Sequence, residues 1–73
     1  MKLRGYRIDI IRAEAGLTVT ELAKVAGCSP ETVQKARHDK EVSIMAAGRI
    51  AKALKIPLEQ LAADPEEQTQ RGD

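Results

Sequence analysis

The stretch Thr18 to Arg37, TVTELAKV-AGCS-PETVQKAR, constrains this chain more than any other. Thr18 followed three residues later by Glu21 has the pattern of a capping box, in which hydroxyl and carboxylate each satisfy an amide left without a partner at a helix start. Gly27 supplies the left-handed residue that closes a helix, Ser29 recaps the chain, and Pro30 suits a first helical position because it has no N–H to leave unsatisfied. One helix therefore ends and another begins within about three residues. With Leu22, Ala23 and Ala26 on one helix and Val33 and Ala36 on the other, the two must cross steeply over a shared core. The expected element is a helix-turn-helix.

The flanking segments extend this into an all-α fold. Leu3, Ile8, Ile11 and Ala15 fall at helical spacing with Gly16 as a stop, which predicts a first helix from about Gly5 to Ala15. Ser43 caps a fourth helix from Ile44 to Leu54, with Ile44, Ala47, Ile50, Ala51 and Leu54 inward. Gly48 within it costs about 1 kcal/mol relative to alanine, so it is expected to admit a close neighbour. Pro57 starts a short fifth helix that returns Leu58 and Leu61 to the core. The fold expected is a compact five-helix, repressor-like domain over residues 1–63. Residues 64–73 carry no side chain suited to a core and are expected to be a disordered acidic tail. The closing Arg-Gly-Asp is read as chance.

Charge gains meaning only when divided along the chain. The total of +1 splits into eleven Lys and Arg against seven Asp and Glu in residues 1–63, a balance of +4, and one against four in residues 64–73, a balance of −3. A basic body suits a polyanionic partner. Cys28 is the single cysteine and His38 the single histidine, so neither a disulfide framework nor a metal site with two clustered ligands is available, and no cofactor is expected. Cys28, in the turn, reads as a buried small hydrophobe, and Tyr6 as the edge of the core. No apolar run is long enough to span a membrane, no signal-peptide core stands at the N-terminus, and the expectation is a cytoplasmic chain. An enzyme would need a nucleophile beside a base, and none is spaced for it.

These residues resemble the Cro/Xre family of phage-repressor-like helix-turn-helix proteins over about Arg7 to Leu61. The resemblance is carried by LTVTELAKVAGCSPETVQKARHDK followed by VSIMAAGRIAKALKIPLEQL. It implies sequence-specific DNA binding in transcription regulation, most simply repression, with the Pro30 helix in the major groove. Four positions depart from the family pattern. Val19 stands where a phosphate-binding glutamine is common, Asp39 where a glycine often ends the recognition helix, and Pro30 where a base-reading side chain often lies. Arg37 occupies the place of a glutamate that pairs in several members with an arginine matching Arg12, so that pair cannot form here in the same way.

On a helical wheel with Val33 and Ala36 inward, Glu31, Lys35 and His38 point outward, flanked by Thr32 and Gln34. These five are the base-contact candidates. Lys35 can donate to guanine, Gln34 can pair with adenine, and Glu31 can accept from cytosine. Glu31 also favours the helix dipole, which is the better explanation of it. Thr18, Ser29, Arg37 and Lys40 are the phosphate-contact candidates. The partner implied is double-stranded DNA, bound by a homodimer with Leu58 and Leu61 near its interface. No small-molecule ligand or membrane role is evident. The alternative is a protein-interaction module, such as an antitoxin or accessory subunit, on the same fold.

Overall fold

A computed structural model describes residues 1–63. Five helices follow in order: α1 (Gly5–Ala15), α2 (Val19–Ala26), α3 (Pro30–Arg37), α4 (Ile44–Leu54) and α5 (Leu58–Leu61). Among the described residues there is no strand, only an isolated antiparallel bridge between Leu3 and Ala62. The acidic segment 64–73 lies outside the described residues.

The helix ends are where the residue chemistry places them. Thr18 Oγ1 accepts from the Glu21 amide at 3.1 Å and the Glu21 carboxylate accepts from the Thr18 amide at 2.8 Å, completing the capping box. That second bond is the main reason the Glu21 carboxyl lies below its ordinary pKa. Ser29 accepts from the Thr32 amide and Ser43 from the Ala46 amide, opening α3 and α4. Gly16 and Gly27 close α1 and α2 at φ 74° and 77°, conformations that a side chain would strain. Asp39 takes φ 59° in the place where the family often has glycine. A short polar side chain tolerates that region better than most.

The core gathers Ile8 of α1, Leu22 and Ala23 of α2, Val33 and Ala36 of α3, Ala47, Ile50 and Ala51 of α4, and Leu61 of α5. The small residues on α2, α3 and α4 let the three helix backbones come together, since interiors must fill to near-crystalline density.

Several expected inward positions are not inward. Ile44 is 65% exposed, because the Ser43 cap puts it in the first turn before α4 reaches the core; Val42, just upstream, is buried in its stead. Ala15 is exposed at the end of α1. Tyr6, expected at the core edge, stands 62% exposed on the outer face of α1. An alanine Cβ at Gly48 would have nothing within 4 Å, so no neighbouring helix needs the glycine there. Cys28 is half-buried, and burial raises its thiol pKa, in keeping with a small hydrophobe.

Leu3 is buried, but it lies before α1 in an extended segment. That segment is held on two sides. The Met1 amino group donates to the Val42 carbonyl at 2.8 Å and the Val42 amide returns a bond to Met1 at 2.9 Å. The Arg4 amide donates to Leu61 at 2.8 Å and the Ala63 amide to Lys2 at 3.0 Å. The first four residues thereby tie the α3–α4 connection to the end of α5.

Candidate nucleic-acid interface

The turn between α2 and α3 is closed by backbone bonds, with the Gly27 amide donating to Ala23 at 2.8 Å and the Cys28 amide to the same carbonyl at 3.0 Å. Arg49 of α4 donates to the Gly27 carbonyl at 3.3 Å. With Val33 and Ala36 fully buried, α3 is fixed in rotation about its axis. Glu31, Gln34, Lys35 and His38 are therefore exposed along one edge, as expected, and Thr32 is half-buried beside them. A groove lined by Thr32, Lys35, Glu41, Val42, Ser43 and Ala46 runs between α3 and the start of α4.

The far end of α3 is anchored by α1 through three contacts that sequence reasoning missed. Gly5 opens α1 directly against the backbone of Arg37: a Cβ there would sit 2.0 Å from the Arg37 carbonyl oxygen. The Gly5 amide donates to Asp39 Oδ1 at 3.0 Å, so the residue that turns the chain out of α3 also supplies a side-chain cap to α1, which Arg4 does not provide. A carboxylate at that helix start is favoured by the helix dipole as well.

The third contact is an ion pair between α1 and α3 with different partners. Arg37 donates to Asp9 through Nε at 2.6 Å and Nη2 at 3.3 Å, and Arg12 donates to the same carboxylate at 2.9 Å. The polarity of the α1–α3 pair is thus reversed, with the acid on α1 and the base on α3. The Arg37 guanidinium is the first cause holding the Asp9 carboxyl below its ordinary pKa, opposed by desolvation and aided by Arg12; Asp9 raises Arg37 in return. Arg12 also donates to the Leu17 carbonyl at 2.8 Å, fixing the connection into α2. The signal for this was present: two arginines in want of one acid, with Asp9 three residues before Arg12 on the same helix face.

Arg37 is consequently committed to α1 and does not reach out as an expected phosphate ligand would. Its Nη1 instead donates to Gln34 Oε1 at 2.7 Å. A guanidinium has no acceptor, so the Gln34 amide oxygen must face Arg37 and its NH2 must face away. Lys40 and His38, beyond the end of the helix, are exposed. The Thr18 and Ser29 oxygens accept cap bonds, and Ser29 Oγ lies 3.0 Å from Thr32 Oγ1. Among the described residues no three His, Cys, Asp or Glu side chains gather as a metal site would require, and no helix is long and apolar enough to cross a membrane.

The chain matches the Cro/C1-type HTH DNA-binding domain family over residues 7–67. No curated protein sequence matches it significantly. Among solved structures it resembles SinR, the master regulator for biofilm formation, in complex with DNA: TM-score 0.68 at 24% identity, covering 75% of this chain and 90% of that one. The SinR–SinI protein complex gives TM-score 0.73 at 23% identity, covering 94% and 75%. The clp gene regulator ClgR from Corynebacterium glutamicum gives TM-score 0.65 at 30% identity, covering 77% of this chain and 61% of that one.

Proposed function

This chain belongs to the Cro/C1-type helix-turn-helix DNA-binding domain family, and from that premise we propose that it is a sequence-specific transcription regulator, a repressor that occupies its operator with α3 in the major groove. The observation that carries the reading is the polar edge of α3, which the core and the Asp9–Arg37 ion pair hold in one orientation. A preorganised recognition helix lowers the ordering cost of binding. The SinR–DNA complex supports it, as a protein of the same fold seated on DNA.

Within that edge the roles divide. Lys35, from the middle of α3, donates to base acceptors. Gln34 is poorly placed to use its oxygen and nitrogen together on adenine, because Arg37 takes one lone pair of the oxygen and turns it toward α1. What it turns outward is its NH2, which suits guanine, whose major-groove edge carries the adjacent acceptors N7 and O6. Thr32 and His38 flank these contacts, and Glu31 acts on the dipole of α3. Lys40, with the Thr18 and Ser29 hydroxyls and the amides at their helix starts, meets phosphates and sets the register.

One such domain reads a single half-site, so two copies on half-sites about 34 Å apart gain affinity and specificity together. Leu61 is fully buried within the chain and cannot contribute to a dimer interface, and Leu58 is half-buried. Selection of bound sequences from a random duplex library tests the reading. The expected result is a pair of related half-sites, with protection at both. Enrichment of no sequence above background would refute it. The SinR–SinI complex is the observation behind a second reading, a module that binds a partner protein, and a library that yields no bound duplex would favour it.

A further inference from the structure

The outer face of α1 has no partner within the described chain. Tyr6 and Ile10 are 62% and 54% exposed there, and with Arg7, Ile11 and Glu14 they line a shallow groove. Ile8 meanwhile enters the core from the other side, so α1 carries apolar residues on both faces.

The charges along this face point to what covers it. Arg7 and Glu14 are seven residues apart, beyond the three- or four-residue spacing at which helix side chains pair, and neither is in an ion pair among the described residues. Arg7 Nε is buried without an acceptor. Ile10 and Ile11 lie midway between them, so Arg7, Ile10 or Ile11, and Glu14 follow the three-four spacing of a helix-pairing seam. The seam is self-complementary. If a second copy of α1 is laid antiparallel, with the two-fold axis between Ile10 and Ile11, each Arg7 meets the partner subunit's Glu14. The isoleucines then meet in the middle. A symmetric contact of this kind uses one patch twice.

We propose that this face of α1 is the self-association surface of the protein, and that its occupant is a second copy of the chain. Gly5, Asp9 and Arg12, which face α3 or its ion pair, lie on the opposite side of α1, so the association leaves the recognition helix clear. Eleven residues make a helix only about 16 Å long, so the buried area is small. The dimer is correspondingly weak, with dissociation on the order of 0.1 mM, and forms mainly when two half-sites bring the copies together. The purpose assigned to it rests on the two-half-site reading above; the contact itself does not.

Sedimentation velocity of the full chain, free of DNA, tests the contact with Arg7→Glu, Glu14→Arg and the double variant. Each single change turns two attractions into two repulsions and should weaken the dimer about tenfold, while the double change restores both pairs and should recover it to within about threefold. Ile10→Glu should leave only monomer. Thermal melts identify any variant that fails to fold, and Glu14→Arg, at an exposed position, serves should Arg7→Glu do so. A wild-type chain that stays monomeric at about 1 mM overturns the proposal, as does a double variant no better than the singles. Gel shifts on a single half-site duplex separate the two ideas: wild-type half-site affinity in the variants leaves the DNA reading standing whatever sedimentation shows, and no binding by the wild type overturns that reading alone.

Discussion

Replacing Gly5 and Gly48 with alanine should move stability in opposite directions. Both are helical glycines, and helix propensity alone predicts a gain of up to about 1 kcal/mol from either substitution, less at a helix start than in an interior. At Gly48 nothing lies within 4 Å of the added Cβ, so the gain should be realised, raising the melting temperature by roughly 4–8 °C per kcal/mol in a domain this small. At Gly5 the Cβ would fall 2.0 Å from the Arg37 carbonyl oxygen and 2.6 Å from its carbon, where real Cβ atoms essentially never come within 3.0 Å. Both obstacles are backbone, so no rotamer change relieves them; α1 and the end of α3 must separate by about an ångström. Overpacking of this kind costs about 1–3 kcal/mol, and the separation also strains the Gly5–Asp39 cap, worth about 1 kcal/mol more. Together these cost about 2–4 kcal/mol, so the expected fall in melting temperature is roughly 8–30 °C. Circular dichroism melts of the two variants and the wild type decide the matter. Gly5→Ala melting at or above the wild type would refute the close approach of α1 and α3, and with it the account of how α3 is anchored.

Asp9→Asn should destabilise near neutral pH by about 1 kcal/mol, a figure kept small by the partial exposure of the pair. Because the folded carboxyl lies below its ordinary value of 3.8, its contribution is complete above that value and is lost as pH falls from there through the lower folded value; urea titrations should show the wild-type advantage unchanged from about pH 7 to about pH 5 and shrinking only below about pH 4. Arg37→Met frees the Gln34 oxygen, and selection from a random library should then show the Gln34-dependent base pair moving from guanine toward adenine; an unchanged preference contradicts the role given to Arg37. Lys35→Ala should cost about 1–3 kcal/mol on the preferred operator and relax one position, whereas Lys40→Ala should weaken all duplexes alike and lower the salt slope by about one, as measured by titrations at several salt concentrations. Deleting residues 65–73 removes a net charge of −2 and should strengthen non-specific binding most at low salt, read by anisotropy on a scrambled duplex.

What the sequence by itself determined are the features written in neighbouring residues. Thr18 with Glu21, Gly27, Ser29 with Pro30, and Ser43 place helix boundaries through bonds spanning three or four residues, and Val33 with Ala36 set the inward face of α3 by period alone. The family pattern rests on the same short-range chemistry, which is why the outward residues Glu31, Gln34, Lys35 and His38 could be named from the wheel. The tertiary structure decided whatever depends on which distant residues meet. Leu3 has helical spacing to Ile8 and Ile11 yet sits in an extended segment, because backbone groups of Val42 and Leu61–Ala63 are there to bind it. Gly48 and Gly5 are indistinguishable as letters; one faces open space and the other a carbonyl thirty-two residues away. By sequence alone Arg37 is a candidate for a phosphate; in the fold Asp9, twenty-eight residues earlier, holds it and, through it, sets the direction in which Gln34 faces. Period and capping are local rules that a chain carries everywhere along its length, whereas a close approach or a long-range ion pair exists only once the helices have packed and chosen their neighbours.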